Sequence, residues 1–217
     1  MHPIDHIRKF ATLTPELEAN LRKVMEERVF AKGDVVQGAK NLTSYAYFIT
    51  RGAARFFYTD GGKEHTMSFS FAGEFVMLSR HVVMAHPDTV AIHFMEPTHV
   101  VFVPHLQVKN MLDDCGAVAD TEGLLFLNAA LMHYVMFLEE RLDVMQSLSA
   151  PERYRWAMRR YPRLNECATT TQLASFLGLT KETLYRIKGG RYALSGKRHK
   201  NDSDNLDNGD DYDDGKE

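Results

Sequence analysis

Residues 169–190 read TTTQLASFLGLTKETLYRIKGG, and the spacing of their polar and apolar positions decides how this part of the chain folds. Thr171 is the predicted N-cap of a first helix, which Gly178 ends because glycine adopts the left-handed conformation at little cost. Thr180 is the predicted N-cap of a second helix that runs to about Lys188. The stretch therefore predicts two short helices joined by a tight turn.

The apolar residues of the two predicted helices lie where they can pack together. The second helix carries Leu184 and Ile187, three residues apart. The first helix carries Leu173, Ala174 and Leu177, and the small Ala174 lies where the two helices must cross closely. This arrangement is typical of a helix-turn-helix, whose second helix can enter the major groove of DNA. A plain helical hairpin has the same spacing and stays open as an alternative.

The second helix leaves Lys181, Glu182, Tyr185 and Arg186 on its outward side. An arginine can pair with O6 and N7 of guanine, and a glutamate can accept a hydrogen bond from N4 of cytosine. These residue types favour the reading of base edges.

The charge of the chain is unevenly distributed. Residues 151–200 hold 12 basic residues against three acidic ones, a net +9, whereas residues 201–217 carry a net −7 and residues 1–150 a net −5. A basic block of this size is the electrostatic footprint of a protein that binds the phosphate backbone. A solvated basic face is the alternative from charge alone.

The first 105 residues are dominated by short apolar runs at roughly ten-residue spacing. This spacing predicts the strands of a barrel or jelly roll rather than alternating strands and helices. Residues 60–62 (DGG) predict a hairpin turn. After the turn, Met67, Phe69 and Phe71 alternate with polar residues, which predicts a strand with one buried face.

A long helix is predicted from near residue 121, with apolar residues in two interleaved seven-residue repeats. Its pattern favours a parallel two-stranded coiled coil, in which a buried Asn can fix the register. A helix packed on its own barrel is the alternative. The predicted dimer interface comprises Leu124, Asn128, Leu131, Val135, Leu138 and Leu142, and Met145 continues the repeat.

Several classes of protein lack support in the sequence. There is no run of 18 apolar residues, no secretory signal and no CxxC motif, so we expect a cytoplasmic protein that does not contact a membrane. The histidines of the β-rich region, His81, His86, His93, His99 and His105, show no ligand spacing, and no G-x-S-x-G, P-loop or H-E-x-x-H motif occurs in the sequence. We therefore expect no metal, no cofactor, no catalytic residues and no enzymatic activity.

Three stretches together resemble the CRP/FNR family of bacterial transcription regulators: YFITRGAARFFYTDGGKEHTMSFSFAGEF, SAPERYRWAMRRYP and QLASFLGLTKETLYRI. The resemblance extends over roughly residues 5–192. It implies an α+β fold with an N-terminal double-stranded β-helix (a jelly-roll-like β-roll), a long dimerisation helix and a C-terminal winged helix-turn-helix.

The domain boundaries follow from the resemblance and from the composition. They are a cyclic-nucleotide-binding-like effector domain over 1–118, a dimerisation helix over 119–147, a helix-turn-helix DNA-binding domain over 148–194 and an acidic tail over 195–217. The tail is nearly free of apolar residues, so we expect it to be disordered.

The resemblance also implies site residues in the DNA-binding domain. The base-reading positions of the family fall on Lys181, Glu182 and Arg186, and Thr183 would lie near phosphates. Tyr185 stands where the family has small residues. Thr171 and Gln172, at the start of the first helix, complete the predicted DNA-binding set.

The effector site departs from that of the members that bind cyclic AMP. Gly73 and Glu74 match the first pair of ligand-binding residues, and Phe75 and Thr89 complete the predicted effector set. The arginine that would bind the cyclic phosphate has no counterpart, because Pro87-Asp88-Thr89 occupies the corresponding region. We expect no cyclic AMP binding of the usual kind.

The resulting hypothesis is a homodimeric regulator that binds a palindromic site in double-stranded DNA under control of an unidentified small-molecule effector. RNA polymerase stays open as a further partner. The alternative is a ligand-binding signalling module whose helix-turn-helix no longer binds DNA.

Overall fold

The computed structural model describes residues 1–9, 12–37, 45–76, 90–104, 132 and 135–190. The predictions for Thr89, for Leu124, Asn128 and Leu131, and for the acidic tail lie outside these residues.

In the described part of the chain, two short helices precede seven strands, and five further helices follow them. The first helices are α1 (Pro3–Ile7) and α2 (Pro15–Val24), and the strands are β1 (Glu26–Phe30), β2 (Val35–Gln37), β3 (Tyr45–Arg51), β4 (Ala53–Asp60), β5 (Lys63–Phe71), β6 (Val90–Phe94) and β7 (Thr98–Pro104). The last are α3, described over 135–147, α4 (Ala150–Arg160), α5 (Leu164–Cys167), α6 (Thr170–Leu177) and α7 (Lys181–Lys188).

The strands form two antiparallel sheets, in the orders β1-β7-β3 and β2-β6-β4-β5. One apolar core joins them, since it takes residues from both sheets. In it the Phe30 ring stacks on Phe94 at 4.0 Å, and the Phe102 ring packs edge-on against Tyr47 at 4.9 Å. The predicted α+β class with antiparallel β-structure is therefore confirmed.

The hairpin predicted at residues 60–62 joins β4 to β5. Asp60 pairs with Lys63 across the turn, and Gly61 and Gly62 have φ angles of 54° and 75°. Two consecutive left-handed residues are what a tight turn of this twist requires, and glycine meets that requirement at little cost.

The prediction of one buried face on β5 was wrong. The pairing of β4 with β5 shifts between Phe56 and Phe57, which leaves Met67 as an extra residue on β5. A bulge of this kind reverses the alternation of side chains along the strand. Met67 therefore packs against the core of the sheets, whereas Phe69 belongs to a second core that contains the C-terminal helices.

Three polar residues of β5 are buried as well, because both faces of the strand are covered. The sheets cover one face of the strand and the C-terminal helices cover the other. Thr66, Ser68 and Ser70 are each no more than 3% exposed.

The N-cap of α6 is Thr169 and not Thr171, so that prediction was also wrong. The Thr169 hydroxyl accepts a hydrogen bond from the Gln172 amide at 3.2 Å, and the Gln172 side chain accepts one from the Thr169 amide at 2.9 Å. This reciprocal capping box needs a Glu or Gln three residues after the cap, which Thr169 has and Thr171 lacks. Thr171 lies exposed in the first turn of the helix.

Two variants distinguish the threonines. Thr169→Ala is expected to lower the free energy of unfolding by about 1 kcal/mol, because the cap is lost. Thr171→Ala is the matched control, and it should change stability little because alanine is favourable inside a helix. Urea unfolding of both variants measures the difference, and equal losses would contradict this assignment of the cap.

The predicted end of α6 and the predicted start of α7 are confirmed. Gly178 ends α6 with φ 64°, and the Thr180 hydroxyl caps α7 by accepting from the Thr183 amide at 3.1 Å. At the start of α4, the backbone amide and the hydroxyl of Ser149 both donate to Glu152 Oε2, at 2.9 Å and 2.5 Å.

The second core connects the sheets to the C-terminal helices. It combines Ala53, Phe69 and Met95 from the strand region and Val144 from α3 with residues of α4 to α7. Leu173, Ala174, Leu177 and Leu184 are at most 3% exposed, so α6 and α7 pack together as predicted. This shared core fixes the position of the helix pair against β5.

Candidate nucleic-acid interface and effector site

The outward side of α7 is a polar surface with one aromatic residue. Lys181, Glu182, Tyr185 and Arg186 are exposed, whereas Leu184 is fully buried beneath them. Thr183 is half-buried, and its amide is bound by the cap. The helix is thus anchored on one side and open on the other.

The Glu182 carboxyl is held in its ionised form. A hydrogen bond from its own backbone amide, followed by one from the Thr180 hydroxyl, lowers its pKa, with a smaller contribution from the charges of Lys181 and Arg186. An ionised carboxylate accepts hydrogen bonds and donates none. Glu182 therefore has the chemistry to accept a hydrogen bond from an amino group on a base edge.

Gln172 and Thr171 lie in the first turn of α6. The Gln172 carbonyl oxygen is used in the cap of the helix, which leaves its amide nitrogen as the group that can donate to a ligand.

Gly73, Glu74 and Phe75 of the predicted effector set form the segment that follows β5. The Gly73 amide donates to Ile49 at 2.7 Å and the Ile49 amide donates to Glu74 at 2.9 Å, so the segment is held against β3. The Phe75 ring packs edge-on against Phe48 at 4.8 Å.

Both carboxylate oxygens of Glu74 have partners. Oε2 accepts from the Phe71 amide at 2.9 Å, and Oε1 forms an ion pair with Nη1 of Arg160 in α4 at 3.0 Å. Burial disfavours the charge on Arg160, but the neighbouring Tyr161 and Glu74 outweigh it and raise the pKa of the guanidinium. A residue of the predicted effector set thus contacts the C-terminal helices directly.

Two further polar contacts connect the strands to the C-terminal helices. Arg163 donates to both carboxylate oxygens of Glu96, at 2.9 Å and 2.7 Å, and the Thr66 amide donates to the Ser175 hydroxyl at 2.9 Å. The sequence carries no signal for these pairs, because their partners are 67 and 109 residues apart.

The ion pairs divide the basic block into two sets. Arg155, Arg160 and Arg163 pair with glutamates, and Arg153 donates to backbone carbonyls at the end of α3. Among the residues of the block that the structure describes, Arg159, Lys181, Arg186 and Lys188 are exposed and form no ion pair. Three of these four cations belong to α7.

Solved structures with a similar fold were found. The c-di-GMP-responsive global regulator CLP of Xanthomonas campestris is 12% identical, with a TM-score of 0.58 over 82% of this chain and 91% of that chain. FixK2 of Bradyrhizobium japonicum is 20% identical, with a TM-score of 0.51 over 81% and 90%. CprK in complex with OCPA is 12% identical, with a TM-score of 0.52 over 82% and 84%.

The chain has the fold of CRP/FNR family regulators. The resemblance in the sequence is therefore confirmed at the level of the fold. No family model and no curated protein sequence matches the chain.

Within this CRP/FNR fold, the described part of α3 presents an apolar stripe. Val135, Leu138 and Leu142 of the predicted dimer interface are 42%, 40% and 55% exposed. Met145, which continues the predicted repeat, is instead half-buried beside Gly178 of the same chain. The stripe therefore ends about one turn before the helix does.

A cavity of about 330 Å³ opens between β1, β2, β3 and β7. It does not include Gly73, Glu74 or Phe75, so these three residues and this cavity are separate places on the fold. Its lining residues are Glu26, Arg28, Phe30, Val35, Val36, Gln37, Tyr47 and Phe102.

The described part of the chain offers little other candidate chemistry. No group of three or more His, Cys, Asp or Glu residues there could hold a metal ion, and no helix there is long and apolar enough to cross a membrane. Cys167 is a free thiol, and burial raises its pKa to about 11. It is therefore protonated at neutral pH and a poor nucleophile.

Proposed function

We propose that the protein is a homodimeric, non-enzymatic transcription regulator of the CRP/FNR type that binds a palindromic site in double-stranded DNA. The observation that carries the proposal is the outward face of α7, where exposed Lys181, Glu182, Tyr185 and Arg186 stand together over a buried anchor. Helix α6 supports this recognition helix, as in a helix-turn-helix.

The unpaired cations support phosphate binding by the same region. Arg159, Lys181, Arg186 and Lys188 remain exposed, whereas the other described arginines of the block are used within the protein. Thr171, Gln172 and Thr183 join the proposed DNA-binding set as side chains that can reach phosphates or the edges of the groove. The proposed DNA-binding domain spans 148–194.

The apolar stripe on α3 supports a second copy of the chain as a partner. Val135, Leu138 and Leu142 have the spacing of a coiled-coil seam, and large apolar side chains with this exposure favour burial against a matching helix. We assign the dimerisation helix to 119–147. Two copies related by a twofold axis would place their α7 helices in successive major grooves, about 34 Å apart.

The N-terminal domain, residues 1–118, is proposed to control DNA binding through an effector that is not cyclic AMP. Its Glu74 carboxylate is already bound by the Phe71 amide and Arg160, so a ribose hydroxyl would have to share the carboxylate with these partners. The acidic tail, residues 195–217, is proposed to be disordered.

Calorimetric titration of the purified protein with cyclic AMP is expected to give no binding heat. The arginine that would form a charge-assisted pair with the cyclic phosphate has no counterpart in the sequence. A dissociation constant in the micromolar range or tighter would contradict this prediction.

The proposed function is tested by selection from random duplex DNA with the full-length protein, in parallel with the Arg186→Ala variant. The expected result is an enriched inverted repeat with half-sites one helical turn apart, which the variant enriches more weakly and with a relaxed preference at one position of each half-site. Failure of the folded, dimeric protein to enrich any sequence would favour the signalling module that no longer binds DNA.

A further inference from the structure

Tyr185 is the large apolar side chain that α7 presents to solvent. It is 61% exposed, although it lies one residue after the fully buried Leu184. Among the described residues its side chain forms no hydrogen bond and no ring contact. An aromatic ring left outside both cores has apolar surface available for a partner.

The helical geometry points Tyr185 straight away from the protein. Leu184 is buried and Thr183 and Ile187 are half-buried, and together they define the inward direction of α7. Because each residue turns the helix by about 100°, Tyr185 and Glu182 lie within about 35° of the opposite, outward direction. By the same count, Lys181 and Arg186 lie about 70° to either side.

This order assigns different parts of the groove to different residues. When a helix lies in the major groove, the side chains on its outward line face the floor of the groove, and long side chains on its flanks, such as those of Lys181 and Arg186, can reach either a base edge or a phosphate. Gly189, one turn after Tyr185, continues the outward line without a side chain and leaves the ring accessible.

We infer that Tyr185 is a specificity-determining residue that packs its ring against the C5-methyl group of a thymine. This inference rests on the proposed function, since it requires that α7 enters the major groove. In that groove the thymine methyl is the apolar group among the base edges, and the other groups are hydrogen-bond donors and acceptors. Glu182, an ionised acceptor on the same line, would read a neighbouring base with an amino group.

The phenol hydroxyl offers a competing role. It could donate to a phosphate instead, in which case the ring would only carry the hydroxyl and the base would not be read. Removing the hydroxyl of Tyr185 and removing the methyl group of the thymine distinguish the two roles.

The test uses the full-length protein and the DNA site obtained from the selection. Each thymine of a half-site is replaced in turn by deoxyuridine, which removes only the methyl group, and affinity is measured by fluorescence anisotropy. Replacement at one position should weaken binding roughly fourfold per half-site, the value of one buried methyl group, and about fifteenfold when both half-sites are changed.

Two protein variants are combined with the deoxyuridine replacement to test whether the ring of Tyr185 contacts the methyl group. Tyr185→Ala is expected to bind the unmodified site more weakly and to show no further loss with deoxyuridine at that position. Tyr185→Phe is expected to keep the full response, because the ring makes the contact. Since Tyr185 is exposed, both variants should fold, and circular dichroism checks this.

Three results would overturn the inference. A selected site at which no thymine responds to the replacement would remove the methyl contact while the proposed function stands. Loss of affinity in Tyr185→Phe equal to that in Tyr185→Ala would assign the contact to the hydroxyl. Absence of any selected site would overturn both the inference and the proposed function.

Discussion

Phe176→Ala is expected to lower the free energy of unfolding by about 3–5 kcal/mol, the range for removing a large buried aromatic side chain. Phe176 is 1% exposed and lies at the centre of the second core. Its ring is 5.1 Å from that of Phe69 and 6.0 Å from those of Trp156 and Tyr161. The Arg141 guanidinium covers it at 4.3 Å.

The same change should weaken the contact between the strands and the C-terminal helices. Phe69 belongs to β5, whereas Trp156 and Tyr161 belong to α4 and its C-cap, so Phe176 is packed against both sides. Its loss leaves a cavity that neither side can fill without moving. We expect the variant to be more sensitive to proteolysis between the sheets and α6 as well as less stable.

Urea unfolding measures the effect. The protein concentration is kept fixed, because the unfolding midpoint of a dimer depends on concentration. Tyr185→Ala is the control, since it also replaces an aromatic residue by alanine but at an exposed position. It should change the free energy of unfolding by no more than about 0.5 kcal/mol. Equal destabilisation by the two variants would contradict the central position of Phe176 in the core.

Local chemistry in the sequence was sufficient to predict several features of the fold. Gly178 and the DGG turn need left-handed backbone, and Thr180 stands before an amphipathic helix, so each position is decided by its immediate neighbours. The exposed positions on α7 follow from the same periodicity. The fold of the whole chain was predicted from its family resemblance.

Features that depend on distant partners could not be predicted in this way. The residues next to Met67 in the sequence do not predict the bulge that turns Phe69 away from the core of the sheets. The ion pair of Arg160 could not be predicted, because its partner Glu74 is 86 residues away and the sequence does not distinguish Arg160 from the other arginines of the basic block. The wrong N-cap at Thr171 has a local cause. The sequence places Gln172 three residues after Thr169, as a capping box requires, but the prediction gives Gln172 a role in DNA binding instead.

Arg186→Ala is expected to weaken binding by about 1–3 kcal/mol, or roughly 5- to 150-fold, for each half-site of the selected site, and to relax the base preference at one position of each half-site. Arg186 is exposed on α7 and forms no ion pair among the described residues, so its guanidinium is available to a base edge. The measurement is a binding titration against the selected site and against single-base variants of it.

Arg163→Ala is the matched control for that change. It also removes one arginine from the basic block, but the guanidinium of Arg163 is bound to both carboxylate oxygens of Glu96. We expect it to change DNA affinity much less than Arg186→Ala and to leave the base preference intact. If the two variants lose affinity equally, total charge and not the surface of α7 determines binding.

Arg186→Lys separates recognition of a base from attraction to the backbone. Lysine keeps the positive charge but cannot donate two parallel hydrogen bonds to guanine O6 and N7 as arginine does. If Arg186 reads a base, the lysine variant should lose preference at the same position as the alanine variant, while the salt dependence of its affinity stays that of the wild type. If Arg186 contacts a phosphate, lysine should restore binding, and only the alanine variant should reduce the slope of log affinity against log salt, by about one for each subunit.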